Sequence, residues 1–171
     1  MRQFLFFSLI CLFLSCDDGD LQIETLDFDS ATIDMCTPAT INTENILFKI
    51  NDDEALILTL PANILKNEIT VVDKPITSAI SASGPSKISY RIFSDKVSKS
   101  YFCGNIPPVT PVVVDEIEAK NGIVIITTTL AKDGVTYEHD VKLDDITLET
   151  SSNSRITDLT VNNFGLITTK P

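Results

Sequence analysis

His139 is the only histidine in the 171-residue chain. It falls in the alternating set Val135, Tyr137, His139, Val141 and Leu143, which places it on an apolar face. A histidine that moves protons needs a nucleophile or a second base within hydrogen-bond reach. No G-x-S-x-G supplies a nucleophile. His139 is therefore expected as a partly buried strand residue that donates to a strand neighbour or a carbonyl. Carboxylates are plentiful and clustered: Asp17-Asp18, Asp52-Asp53-Glu54, Asp115-Glu116 and Asp144-Asp145. Two of them across a cleft could hydrolyse a glycosidic bond, and several converging oxygens could hold calcium. No run has the D-x-[DN]-x-[DN]-G spacing of a helix-loop-helix calcium site. Solvated turn residues are the expectation. The alternative is a loop-held calcium at Asp52-Asp53-Glu54 or Asp144-Asp145. No cofactor or metal is expected. A sugar platform would want exposed aromatics, and the chain has no tryptophan. Tyr101 and Phe102 are the aromatics expected near the surface, either as such a platform or as cover for a sheet edge beside Cys103.

The N-terminus carries a different kind of chemistry. Arg2 is followed by the apolar run Phe4–Leu14, then Ser15, Cys16 and the acidic Asp17-Asp18-Gly19-Asp20. The run is too short for a bilayer span and has the length of an export signal. With Ser15 and Cys16 at its end, it resembles a bacterial lipoprotein precursor, whose signal is cut before a cysteine that carries lipid. The resemblance implies a signal peptide over 1–15, a lipidated Cys16 and an acidic tether over 16–22. It also implies a membrane partner reached through that lipid, since each buried methylene of an acyl chain contributes ~0.8 kcal/mol. Phe13 and Leu14 stand where the motif usually has Leu and a small or β-branched residue. That loose ending, followed by an acidic run, looks like the lipoproteins of the Bacteroidetes. There such runs mark export to the cell surface, so Asp17, Asp18 and Asp20 are expected as a sorting signal for the outer membrane. The alternative is the periplasmic face of a membrane, because Asp17 directly after the cysteine also resembles an enterobacterial retention signal.

With Cys11 in the signal and Cys16 carrying lipid, Cys36 and Cys103 remain as an even pair in an oxidising compartment, where a disulfide is expected. Neither belongs to a Cys-x-x-Cys, and one histidine does not complete a zinc set. A net charge of −11 argues against nucleic acid, because phosphates would be repelled.

The elements that must position these residues read as strands. Leu26, Phe28 and Ala31–Met35 alternate, with a break near Asp29-Ser30. Ile46–Ile50 and Ala55–Leu60 flank Asn51-Asp52-Asp53-Glu54 as a hairpin. Ile69–Val72 and Ile76–Ile80 are short strands. Lys87–Phe93 alternates with Ile88, Tyr90 and Ile92 inward. Helix is expected only as one turn within Pro61–Asn67. Gly104–Pro111 must be extended, because its prolines exclude helix and a paired central strand, and it suits a passage between sheets. Val112–Ala119, Ile123–Leu130 and Val135–Leu143 read as a meander joined at Asn121-Gly122 and Asp133-Gly134, with a phase flip at Asp144-Asp145. Phe28, Phe48, Tyr90 and Tyr137 are expected inward. After a loop over 151–154, one or two strands follow around Leu159, Val161 and Leu166.

Regular short strands with turn chemistry between them predict an all-β, antiparallel β-sandwich of about eight to ten strands, in one domain over 23–171. The functional expectation is a lipid-anchored cell-envelope protein without catalysis, binding an unknown protein or glycan or supporting an envelope assembly. The alternative is a hydrolase with paired carboxylates in a cleft of the sandwich.

Overall fold

The computed structural model describes residues 28, 30–71, 73–106, 108–150, 155–157 by their main chain, and 163–171. The signal, Cys16, Asp17, Asp18, Asp20 and Leu26 lie outside the described residues, as do 151–154, Leu159 and Val161.

The expected all-β antiparallel fold is present. Among the described residues nine strands follow one another: β1 (Ile33–Met35), β2 (Asn45–Asn51), β3 (Glu54–Leu60), β4 (Ile76–Ala79), β5 (Lys87–Phe93), β6 (Val113–Leu130), β7 (Tyr137–Glu149), β8 (Arg155–Thr157) and β9 (Asn163–Thr169). A five-residue helix, α1 (Lys99–Cys103), stands between β5 and β6. The pairing order is β1-β2-β3-β5-β6-β7-β8, with β4 also on β6 and β9 also on β7. Both layers belong to one curled sheet, and β6 is the strand they share. Its first third pairs with β5, through Ser89↔Glu118 and Arg91↔Glu116. Its remainder pairs with β7 on one edge and with β4, at Ile123–Ile126, on the other. The curl brings β9 round to β1, where Ile33 lies against Gly165. Leu56, Leu58, Leu60, Ile88 and Tyr90 of one layer meet Val124, Ile126, Val141, Leu143 and Phe164 of the other in a single core.

The bend in β6 has a local cause. Asn121-Gly122, expected as a hairpin turn, is an irregularity inside one long strand, where the β6–β7 register shifts between Ala119, Asn121 and Ile123. Gly122 has φ +149°, and a Cβ there would collide with Ile146 Cδ1. Glycine thus serves as a bulge that turns the strand. Opposite it, Asp145 takes φ +53°, and the buried phase moves from Leu143 to Ile146 as expected. Asp133-Gly134 does form a turn, with Gly134 at φ +72°. Asp133 Oδ1 accepts the amides of Val135 and Thr136 at 2.9 and 2.8 Å.

Three further expectations are corrected. Pro61–Asn67 is a set of turns and bends without helix; the helix is α1, where Tyr101 and Phe102 find an apolar surface to cover. Ile69–Val71 forms no strand: Thr70 N–H donates to Thr128 O at 2.9 Å, and Val71 O accepts the Lys74 amide at 3.0 Å. Gly104–Pro111 is no passage between sheets, because it leads from α1 to β6, and β6 pairs directly with β5.

Candidate binding groove

β2 turns Ile46, Phe48 and Ile50 to the outside of the sheet. Leu47 and Lys49 point to the main core, while Phe48 belongs to a second cluster on the outer face with Ala55, Ile57, Phe93 and Val97. Phe48 is thus buried as expected but on the opposite face, and Tyr137 is only half-buried. The cover is α1. Phe102 stacks on Phe48 with ring centroids 4.5 Å apart, and Tyr101 meets Phe93 edge-on at 5.0 Å. A helix of five residues cannot hold itself together. The Cys36–Cys103 disulfide, with Cα atoms 5.1 Å apart, ties it down beside β1. The pairing expected of these cysteines is present; Tyr101 and Phe102 cover the outer face of the sheet rather than its edge.

The strand registers set the outer face in rows: Ile46–Thr59–Lys87, then Phe48–Ile57–Ser89–Glu118, then Ile50–Ala55–Arg91–Glu116. Because α1 covers only part of this face, a groove of about 400 Å³ stays open on it, lined also by Phe102, Ser81 and Ala82. Across it the chemistry changes from apolar to charged. Ile46, 54% exposed, and Ile57 form the apolar half. Lys87, Arg91, Glu116 and Glu118 form the charged half. Arg91 Nε donates to Glu116 Oε1 at 2.8 Å, so this pair neutralises itself.

Most residues marked in the sequence lie elsewhere and apart. His139 is fully buried rather than partly so. Its Nδ1 lies 2.8 Å from Thr128 Oγ1 and its Nε2 2.8 Å from Thr169 Oγ1. Thr169 gives its one hydroxyl proton to Asn67 Oδ1 at 2.5 Å. Nε2 therefore carries the hydrogen and Nδ1 accepts from Thr128. Burial lowers the imidazole pKa below its ordinary value. Such a neutral, fully bonded ring ties β6, β7 and β9 together. Asp52 pairs with Lys96 at 2.7 Å and raises the lysine pKa by that bond. Glu54 accepts the Tyr90 hydroxyl at 2.6 Å, and Asp115 accepts the Glu116 amide at 2.9 Å. Asp144 and Asp145 are exposed at the β7 irregularity. Among the described residues no three His, Cys, Asp or Glu side chains converge on a point that would hold a metal. Among the described residues of the acidic clusters, only Glu116 lines the groove. Ile46, Lys87, Arg91 and Glu118 were not marked in the sequence, since only the ladder registers place them side by side. Comparison with protein-family models, with curated proteins and with solved structures finds no match.

Proposed function

We propose that this chain is a lipid-anchored cell-envelope protein, held by Cys16 and exported through Asp17, Asp18 and Asp20 to the outer face of the outer membrane. There it serves as a binding or assembly module for a protein or glycan, without catalysis. The observation that carries the binding reading is the groove. It joins an exposed aliphatic floor to an array of charges on a scaffold stiffened by the disulfide. Small-ligand sites have this mixture of apolar lining and a few placed polar groups. The runner-up, a paired-acid hydrolase, draws on Glu116 and Glu118 in the same groove. The ion pair with Arg91 weighs against it, because it occupies Glu116.

Two measurements test this reading. Growth with an alkyne-bearing fatty acid should label the protein through Cys16 and leave Cys16→Ser unlabelled; label retained in the variant ends the anchor. Protease on intact cells should cleave the domain, and Ala at Asp17, Asp18 and Asp20 should restore protection. Protection of the wild type until permeabilisation would place the domain in the periplasm. For the groove, Ile46→Lys should strip the bound partner from detergent-extracted protein, and retention of that partner would move the site elsewhere.

A further inference from the structure

Lys87 and Glu118 bring opposite charges into the groove, and among the described residues neither side chain has an ion-pair or hydrogen-bond partner. Ser89 faces Glu118 across the β5–β6 ladder, and Lys87 lies two positions along the same face of β5. The two charged residues are therefore diagonal neighbours, whose Cβ atoms stand roughly 7 Å apart. Ser89 lines the groove with them, and the two charged ends form no ion pair with one another. In the next row Ile46 lies two strands from Lys87, with Thr59 between them. Two strand spacings amount to roughly 10 Å, so an apolar side chain starting near Lys87 reaches Ile46 and Phe102.

The charges narrow the choice of ligand. Within the groove, Lys87 and Arg91 balance Glu116 and Glu118, so the site is a neutral island on a chain of net charge −11. A simple anion would meet Glu118 and the acidic surroundings, and a simple cation would leave Lys87 unpaired. A ligand with one charge of each sign satisfies both. The volume, about 400 Å³, lies toward the small end of ligand pockets, and Phe102, Ser81 and Ala82 complete the lining.

We infer that the groove binds a short free peptide with an apolar side chain, an inference that rests on the groove being the binding site. The peptide ammonium sits at Glu118 and its carboxylate at Lys87. Its side chain lies over Ile46 against Phe102, and the hydroxyls of Ser89 and Thr59 meet its amides. Each half of the groove then has a use: the charges read the two chain ends, and the apolar half reads the side chain.

The dipeptide Leu-Leu, titrated calorimetrically into the detergent-extracted mature protein, is the probe. Binding should weaken by about fivefold for Lys87→Gln and for Glu118→Gln, the scale of one exposed ion pair. N-acetyl-Leu-Leu and Leu-Leu amide should each weaken by a similar factor. Equal binding of either blocked peptide overturns the inference, as does binding indifferent to both substitutions or no binding at all. If Leu-Leu fails while Ile46→Lys still strips a partner, the groove reading stands and the peptide inference falls. If Leu-Leu binds with the expected dependence while Ile46→Lys strips nothing, the peptide inference stands without the macromolecular partner.

Discussion

Lys49 donates its ammonium to the carbonyl oxygen of Phe28 at 3.0 Å, with both residues sealed in the interior. The same ammonium reaches Asn163 O at 3.1 Å and stands over the Phe164 ring, 5.7 Å from its centroid. Among the described residues β1 and β9 share no ladder. Lys49 thus supplies, from beneath, donors for carbonyls on the two sides of the seam where the curled sheet almost closes.

Lys49→Met should therefore destabilise the protein by about 2 kcal/mol, because buried carbonyls lose a donor while the methionine keeps most of the packing. Urea unfolding measures it. Hydrogen exchange should accelerate first around Ile33 and Gly165. An unchanged midpoint would show that the carbonyls find other donors.

Reduction of Cys36–Cys103 should cost roughly 4 kcal/mol in the chain-entropy picture, for a sequence separation of 67. It should also loosen α1 and uncover Phe48 and Phe93. The expected signature is new binding of a hydrophobic dye to the reduced protein, below the temperature at which it unfolds. Thiol labelling of denatured, unreduced protein should find neither cysteine free.

His139 gives stability a defined pH dependence. Burial holds its folded pKa below the ordinary 6.5. As pH falls through about 6.5, the unfolded chain takes up a proton that the folded protein refuses, so stability declines. The decline ends once pH passes below the folded pKa. Urea midpoints from pH 8 to pH 5 should fall for the wild type, and His139→Gln should remove the part due to this ring. Identical slopes in both proteins would assign the dependence to other groups.

Gly122→Ala and Gly134→Ala separate backbone strain from collision. At Gly134 nothing lies within 4 Å of an added Cβ, so only φ +72° resists, at about 1 kcal/mol. At Gly122, φ +149° and the collision with Ile146 act together, and the cost should reach about 3 kcal/mol. Equal thermal shifts for the two variants would contradict a bulge at Gly122.

Much of the strand content was legible because side-chain alternation is a local property. Leu56, Leu58 and Leu60 line one face of β3, Ile88 and Tyr90 continue that face on β5, and the phase flip after Leu143 can be read directly. Asn121-Gly122 shows where such reading stops. The same dipeptide can turn a hairpin or bulge a strand, and the choice rests on whether β7 is long enough to pair along both parts of β6.

The sequence by itself determined an antiparallel all-β chain, the turn at Asp133-Gly134 and an even cysteine pair. What it left undecided is best seen in β2, where Ile46, Phe48 and Ile50 form the more apolar phase and Lys49 belongs to the other. The tertiary structure buries Lys49 and turns Phe48 outward. It can do so because α1, pinned by Cys103, gives Phe48 a second apolar layer, and because Phe28 and Asn163 give the ammonium its acceptors. Both compensations come from residues distant in the chain. The groove arises in the same way: Ile46, Lys87 and Glu118 become neighbours only through the ladders of β2, β3, β5 and β6, and a ladder register is a property of paired strands.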